Sequence, residues 1–122
     1  VGKILVADDQ FGVRSLLVEV FREDQHDVET AENGAEALRL FIAFKPDLIL
    51  LDMKMPVMNG LEALREIRKL DSQVAVIMMT AYGDIQTMET AKDLGILYYM
   101  SKPFDLFELR QRISDIFKRI AS

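Results

Sequence analysis

The chain of 122 residues has no cysteine, which removes disulfides and thiolate metal sites from consideration. It has no excess of positive charge either. Its 15 Lys and Arg stand against 20 Asp and Glu, a net charge of −5, and no basic run occurs. An acidic chain of this kind is a poor holder of nucleic-acid phosphates or of anionic membrane surfaces. Long hydrophobic runs are missing too: stretches such as 74–79 (VAVIMM) fall far short of the roughly 20 apolar residues that span a bilayer. The first strand-like run begins at Lys3, so no signal peptide is expected. The first residue is not Met, which leaves room for a larger parent. The expectation is one compact domain over residues 1–122 in a reducing, cytoplasmic compartment, with no nucleic acid and no membrane as partner.

What is present is an alternation. Residues 3–7 (KILVA) read as a short buried strand closed by Asp8 and Asp9. Residues 10–23 carry Val13, Leu16, Leu17, Val20 and Phe21 at helical spacing. Residues 27–31 (DVETA) alternate like a half-buried strand. A helix is predicted over 33–44, with Asn33-Gly34 at its start and Pro46 beyond its end. Buried strands follow at 48–51 (LILL) and 74–79, around a helix over 60–70 built on Leu61, Leu64 and Ile67. A helix over 84–94 is stopped by Gly95. The last strand is 96–100 (ILYYM), and the last helix, over 105–120, places Leu106, Leu109, Ile113, Ile116, Phe117 and Ile120 on one face. Five strand–helix units predict an α/β fold, a parallel sheet with helices on both faces. Five strands suit the flavodoxin-like order 2-1-3-4-5.

In such a sheet, ligands sit beyond the carboxyl ends of the strands, at the switch point between strands 1 and 3. Strand 1 ends in Asp8-Asp9, strand 3 in Asp52, strand 4 in Thr80 and strand 5 in Ser101-Lys102-Pro103. Each residue alone has an ordinary reading, a cap or turn for the carboxylates and the hydroxyl and a solvated charge for the lysine. Together they form a complementary set. Three carboxylates brought together raise one another's pKa, and a divalent cation relieves the repulsion. All-oxygen ligation points to Mg²⁺ or another hard ion. Lys102 suits a phosphoryl group, with Thr80 a neutral donor beside it. These are the parts needed to phosphorylate an aspartate.

Asp8-Asp9, LLDMKMPVMNG around Asp52, MTAYG after Thr80 and Lys102-Pro103-Phe104 together resemble the receiver domain of two-component response regulators, over essentially the whole chain. The resemblance implies a flavodoxin-like, CheY-like fold, with Asp52 as phosphoacceptor. It implies that Asp9, Asp52 and the backbone carbonyl of Lys54 ligate Mg²⁺ or Mn²⁺, with Asp8 acting mainly through metal-bound water. Lys102 would pair with the phosphoryl oxygens across a cis bond to Pro103. Thr80 would sense the phosphoryl group, and Tyr99 is at the position of the family's switch aromatic. The donor would be a phosphohistidine of a sensor histidine kinase. A His-containing phosphotransferase built as a four-helix bundle would also be a partner, and the chain is expected to act as a monomer. The one histidine, His26, is read as a surface residue.

Three further readings concern lifetime and partners. Lys54 and Tyr82, two residues beyond Asp52 and Thr80, should flank the path of attacking water and shield the phosphate, against the alternative that both lie in solvent. Ala81 is small and leaves the route to a partner's histidine open. Leu16, Val20, Val13, Leu17, Phe21 and Val18 cover about 200° of the first helix at roughly 100° per residue, more than the stripe of about 100° that a surface helix needs. With Gly12 beside them, this suggests that another helix docks at Gly12, Val13 and Leu16, against the alternative of a wide core face. Met53, Met55 and Met58 could form a pliable contact rim, with core filling as the alternative for Met55. The leading reading is a phosphoryl carrier in a phosphorelay, which catalyses its own phosphorylation and transforms no free metabolite. The alternative is a switch domain of a larger regulator, such as a DNA-binding transcription factor. A flavin-type cofactor binder is disfavoured, because Asp8-Asp9-Gln10 replaces the glycine- or hydroxyl-rich loop that an anion needs.

Overall fold

A computed structural model describes residues 2–81 and 85–121. Five strands and five helices alternate: β1 (Lys3–Ala7), α1 (Phe11–Glu23), β2 (Asp27–Ala31), α2 (Gly34–Phe44), β3 (Leu48–Asp52), α3 (Gly60–Leu70), β4 (Ala75–Thr80), α4 (Ile85–Asp93), β5 (Tyr98–Ser101) and α5 (Leu106–Ala121). The strands are all parallel, in the order β2-β1-β3-β4-β5.

Side chains on a strand alternate between faces, and the central strands are apolar on both. Leu5, Ala7, Ile49, Leu51, Val76 and Met78 pack on one face with Ala37 and Phe41 of α2, Leu64 and Ile67 of α3, and Ala91 of α4. Ile4, Val6, Leu48, Leu50, Ile77 and Met79 pack on the other with Leu17, Val20 and Phe21 of α1 and Leu109, Ile113 and Ile116 of α5. Nearly continuous runs such as LILL are therefore what a doubly covered parallel sheet requires.

Helix ends follow local chemistry. The Asn33 side chain accepts from the Glu36 N–H at the start of α2, and Asn59 and Glu62 close a reciprocal capping box on α3. Gly95 (φ +80°) ends α4, with its N–H on Lys92 O and the Ile96 N–H on Ala91 O. This exit turn shortens β5 relative to the sequence expectation. Ile96 still closes α4, and Leu97 gives its N–H to Val76 O just before the strand begins at Tyr98. The predicted start of α4, at Asp84, lies outside the described residues. The Arg68 guanidinium ties this corner together by donating to the carbonyls of Leu94, Gly95, Asp71 and Val74.

Two glycines of the fold behave in opposite ways. A Cβ on Gly60 would lie 2.2 Å from the carbonyl oxygen of Asp52, whereas one on Gly12 would meet nothing within 4 Å. Gly60→Ala is expected to destabilise the protein by about 2–3 kcal/mol through overpacking against backbone. Gly12→Ala should stabilise it by about 0.5–1 kcal/mol, because Ala is the better helix former. Urea denaturation of the two variants checks both signs.

Candidate functional site

The ladder register delivers the polar residues to one edge. Ala7 pairs with Leu51, so Asp8 and Asp52 leave adjacent strands at the same level. Asp52 pairs with Met79 and Thr80 with Ser101. The ladders run slightly past the strands, through Asp8 N–H to Ala31 O (3.0 Å), Met53 N–H to Met79 O (2.9 Å) and Lys102 N–H to Thr80 O (2.8 Å). Carboxylate oxygens of Asp8, Asp9 and Asp52 come within 4.8 Å of one another. Lys102 enters from the far side, and its bond to Pro103 is cis, as the resemblance implied.

Burial gives this cluster its character. Asp8 is 0% and Asp52 4% exposed, and Thr80 is buried as well; Asp9 is exposed. Lys102 Nζ lies 2.5 Å from Asp8 Oδ2, 3.4 Å from Asp52 Oδ2 and 3.5 Å from Gln10 Oε1. The other Asp8 oxygen accepts from the Gln10 N–H at 2.9 Å. Among the described residues, Asp52 has a longer contact to the same Lys102 ammonium and a backbone hydrogen bond from Lys54. Desolvation, reinforced by the charge of Asp8, outweighs both and pushes its pKa from 3.8 to about 6. One ammonium thus leaves three carboxylates, two of them buried, short of positive charge, and a hard divalent cation is the group that this oxygen donor set fits.

The other sequence-predicted residues are distributed as follows. Lys54 is exposed at the rim, two residues from Asp52. Tyr82 lies outside the described residues. Tyr99 is half-buried and packs inward against the α2–α3–α4 side of the core. Gly12 is exposed and Leu16 is 46% exposed, but Val13 is half-buried and packs on the α1–α5 core. The exposed edge of α1 is instead Phe11, Gly12 and Leu16, with Phe11 74% exposed. Met53 and Met55 are core residues and Met58 packs against the same cluster, so the methionines fill space beneath the loop and form no rim. His26 is half-buried. Its Nδ1 accepts from the Gly2 N–H (3.2 Å) and its ring stacks on Phe117 at 4.7 Å, so burial replaces the expected surface position and holds its pKa below the usual histidine range. Sequence reasoning missed Gln10 and Arg14 as parts of the site. Their position one and five residues after Asp9 was the available signal, but Arg14 reads as an ordinary charge on a helix.

Residues 4–114 match the response regulator receiver domain, and the chain belongs to that family. Among its relatives, the sporulation initiation phosphotransferase F of Bacillus subtilis is 44% identical over 111 residues, covering 91% of this chain and 90% of that protein. The regulatory protein AtoC of Escherichia coli is 40% identical over 109 residues, 89% of this chain but only 24% of AtoC. Among solved structures, the response regulator TrrA from Thermotoga maritima, in complex with Mg²⁺ and BeF, superimposes with a TM-score of 0.84 at 35% identity, covering 95% of this chain and 99% of that one.

The raised pKa of Asp52 makes stability depend on pH. A carboxyl whose folded pKa exceeds its unfolded value holds its proton more tightly when folded, so stability falls as pH rises from 3.8 through about 6 and stays lowered above. Asp52→Asn keeps the shape without the charge. In metal-free solution it should exceed the native chain by about 1–3 kcal/mol near pH 7.5, with the gap closing near pH 4. Equal urea midpoints for the two proteins near pH 7.5 would contradict this account.

Proposed function

We propose that this receiver domain carries a phosphoryl group on Asp52, takes it from a phosphohistidine of a sensor kinase, and gives it up to a histidine of a four-helix-bundle phosphotransferase. The observation that supports this reading is the gathering of Asp8, Asp9, Asp52 and Lys102 in one largely buried cluster at the switch point of the sheet.

In the transfer, a carboxylate oxygen of Asp52 forms the P–O bond as the P–N bond to the donor imidazole breaks. The imidazole nitrogen leaves with the electron pair and takes up a proton. Asp8, Asp9, Asp52 and the backbone carbonyl of Lys54 are the groups that would hold Mg²⁺ or Mn²⁺. When bound, that ion supplies positive charge to the oxygens of the transferring group. Lys102 supplies the rest from the opposite side. It is held at the Asp8 carboxylate and needs little movement to follow charge that moves from Asp52 to the phosphoryl oxygens. Thr80, buried at the end of β4, donates its hydroxyl to the same group, and Tyr99 on the neighbouring strand responds to it. Lys54 and Tyr82 shield the product from water.

The docking surface is the exposed edge of α1. A helical glycine costs roughly 1 kcal/mol relative to alanine, and nothing among the described residues lies within 4 Å of a Cβ at position 12 to require one. Beside the exposed Phe11 and Leu16, it leaves room for a partner helix to come close. The 44% identity to the sporulation initiation phosphotransferase F favours a cytoplasmic, monomeric carrier in a sporulation-type phosphorelay. The second reading, a switch domain of a larger DNA-binding regulator, is favoured by the 40% identity to AtoC, of which the chain spans about a quarter.

Acetyl phosphate with Mg²⁺ should add one phosphoryl group to the native chain and none to Asp52→Asn, read by intact mass. Labelling of Asp52→Asn to the native extent would remove Asp52 from its role. Gly12→Phe should slow transfer from a phosphohistidine partner by on the order of tenfold through misplacement of the donor, and leave acetyl phosphate labelling unchanged. Equal loss in both assays would count against docking at α1. Onward transfer to a second histidine protein separates the carrier from the switch domain.

A further inference from the structure

Asp8 is held at every polar atom, and only the bond from Lys102 comes from within the acidic cluster. Its N–H goes to Ala31 O, its Oδ1 accepts from the Gln10 N–H, and its Oδ2 accepts from Lys102. Its carbonyl lies one residue past the last ladder pairs of β1, Ala7 with Ala31 and Ala7 with Leu51. Arg14 Nη1 donates to that carbonyl at 2.8 Å. The guanidinium is half-buried and lies over the exposed ring of Phe11, 5.8 Å from its centroid.

The bond fixes the plane of the Asp8–Asp9 peptide. Asp9 is exposed, and its side chain makes no hydrogen bond among the described residues, so the backbone, which sets the direction of its Cα–Cβ bond, is what holds it near Asp8 and Asp52. We propose that Arg14 is a positioning residue for the carboxylate pair Asp8–Asp9: by holding the Asp8 carbonyl it keeps the Asp9 carboxylate in place for a divalent cation. The same side chain belongs to the first turns of α1 and contacts Phe11, so the metal ligands and the exposed edge of that helix are joined through one residue. This inference rests on the reading of the acidic cluster as a cation site.

The sign of the effect separates positioning from charge. A cation near a cation site repels it, so on charge alone the loss of Arg14 should tighten divalent binding. Outer partners that orient metal ligands typically contribute 10–100-fold in affinity. The test is the binding of Mg²⁺ and Mn²⁺ to the full chain without any phosphodonor, by calorimetry, for the native protein, Arg14→Met and Arg14→Lys. Loss of one part-buried hydrogen bond is too small to unfold the domain, and thermal melts run alongside verify this. Arg14→Met is expected to weaken binding about tenfold with little change in melting temperature, and Arg14→Lys, which keeps the charge and one donor, to fall between. Affinity for Arg14→Met equal to or tighter than native would overturn the proposal. A native chain that binds neither ion would instead overturn the cation-site reading on which it stands.

Discussion

The structure turns on the repulsion between two carboxylates that have been taken out of water side by side. Asp8 and Asp52 sit at the ends of adjacent parallel strands, nearly without solvent, and share one ammonium. Lys102 is closer to Asp8 than to Asp52, so the two are neutralised unequally. The less satisfied one, Asp52, is pushed up to a pKa of about 6. A cluster of this kind costs stability in the bare protein and is relieved by anything that brings positive charge. The cost of folding and the readiness to take up a hard cation are therefore one property seen from two sides.

The rest of the fold holds that arrangement in place. The sheet is apolar on both faces and covered by helices on both, so its strands have no freedom to slip, and a register shift would move every core residue to the wrong side. Hydrogen bonds that continue the ladders past Ala7, Asp52 and Thr80 carry this rigidity to the acidic edge. Gly60 lets α3 begin directly against the Asp52 carbonyl, which closes the loop beneath the site. Met53, Met55 and Met58 pack into the core under it. On α1, an unobstructed glycine lies between two exposed apolar residues, Phe11 and Leu16. A rigid, largely buried acidic cluster thus lies beside an accessible helix edge, the two features that the proposed exchange of a phosphoryl group with partner proteins would use.

Most of the architecture was legible in the chain because its signals are local and periodic. Apolar runs of four or five residues alternating with helical spacing lead to the doubly covered sheet, and turn chemistry at Asn33, Asn59 and Gly95 marks the boundaries. Where boundaries moved, long-range bonds moved them. Ile96 looks like strand and closes a helix, because its N–H reaches back to Ala91. Val13 looks like part of an exposed edge and packs inward, because hydrophobic arc alone cannot say which side of it faces α5 and the sheet. His26 looks like a loop residue and stacks on Phe117, 91 positions away in sequence.

The chain by itself determined which groups reach the carboxyl edge of the sheet: four of the five strands lead into their own polar residue, and a parallel sheet puts all those ends together. Only the tertiary structure decided how the groups share charge and what holds them. That Lys102 leans to Asp8, that the Asp52 carboxyl is pushed above its usual range, and that Arg14 holds the Asp8 carbonyl depend on distances between atoms that sequence spacing does not give. Electrostatic and hydrogen-bond energies change over an ångström or less, and one-dimensional spacing does not carry that precision.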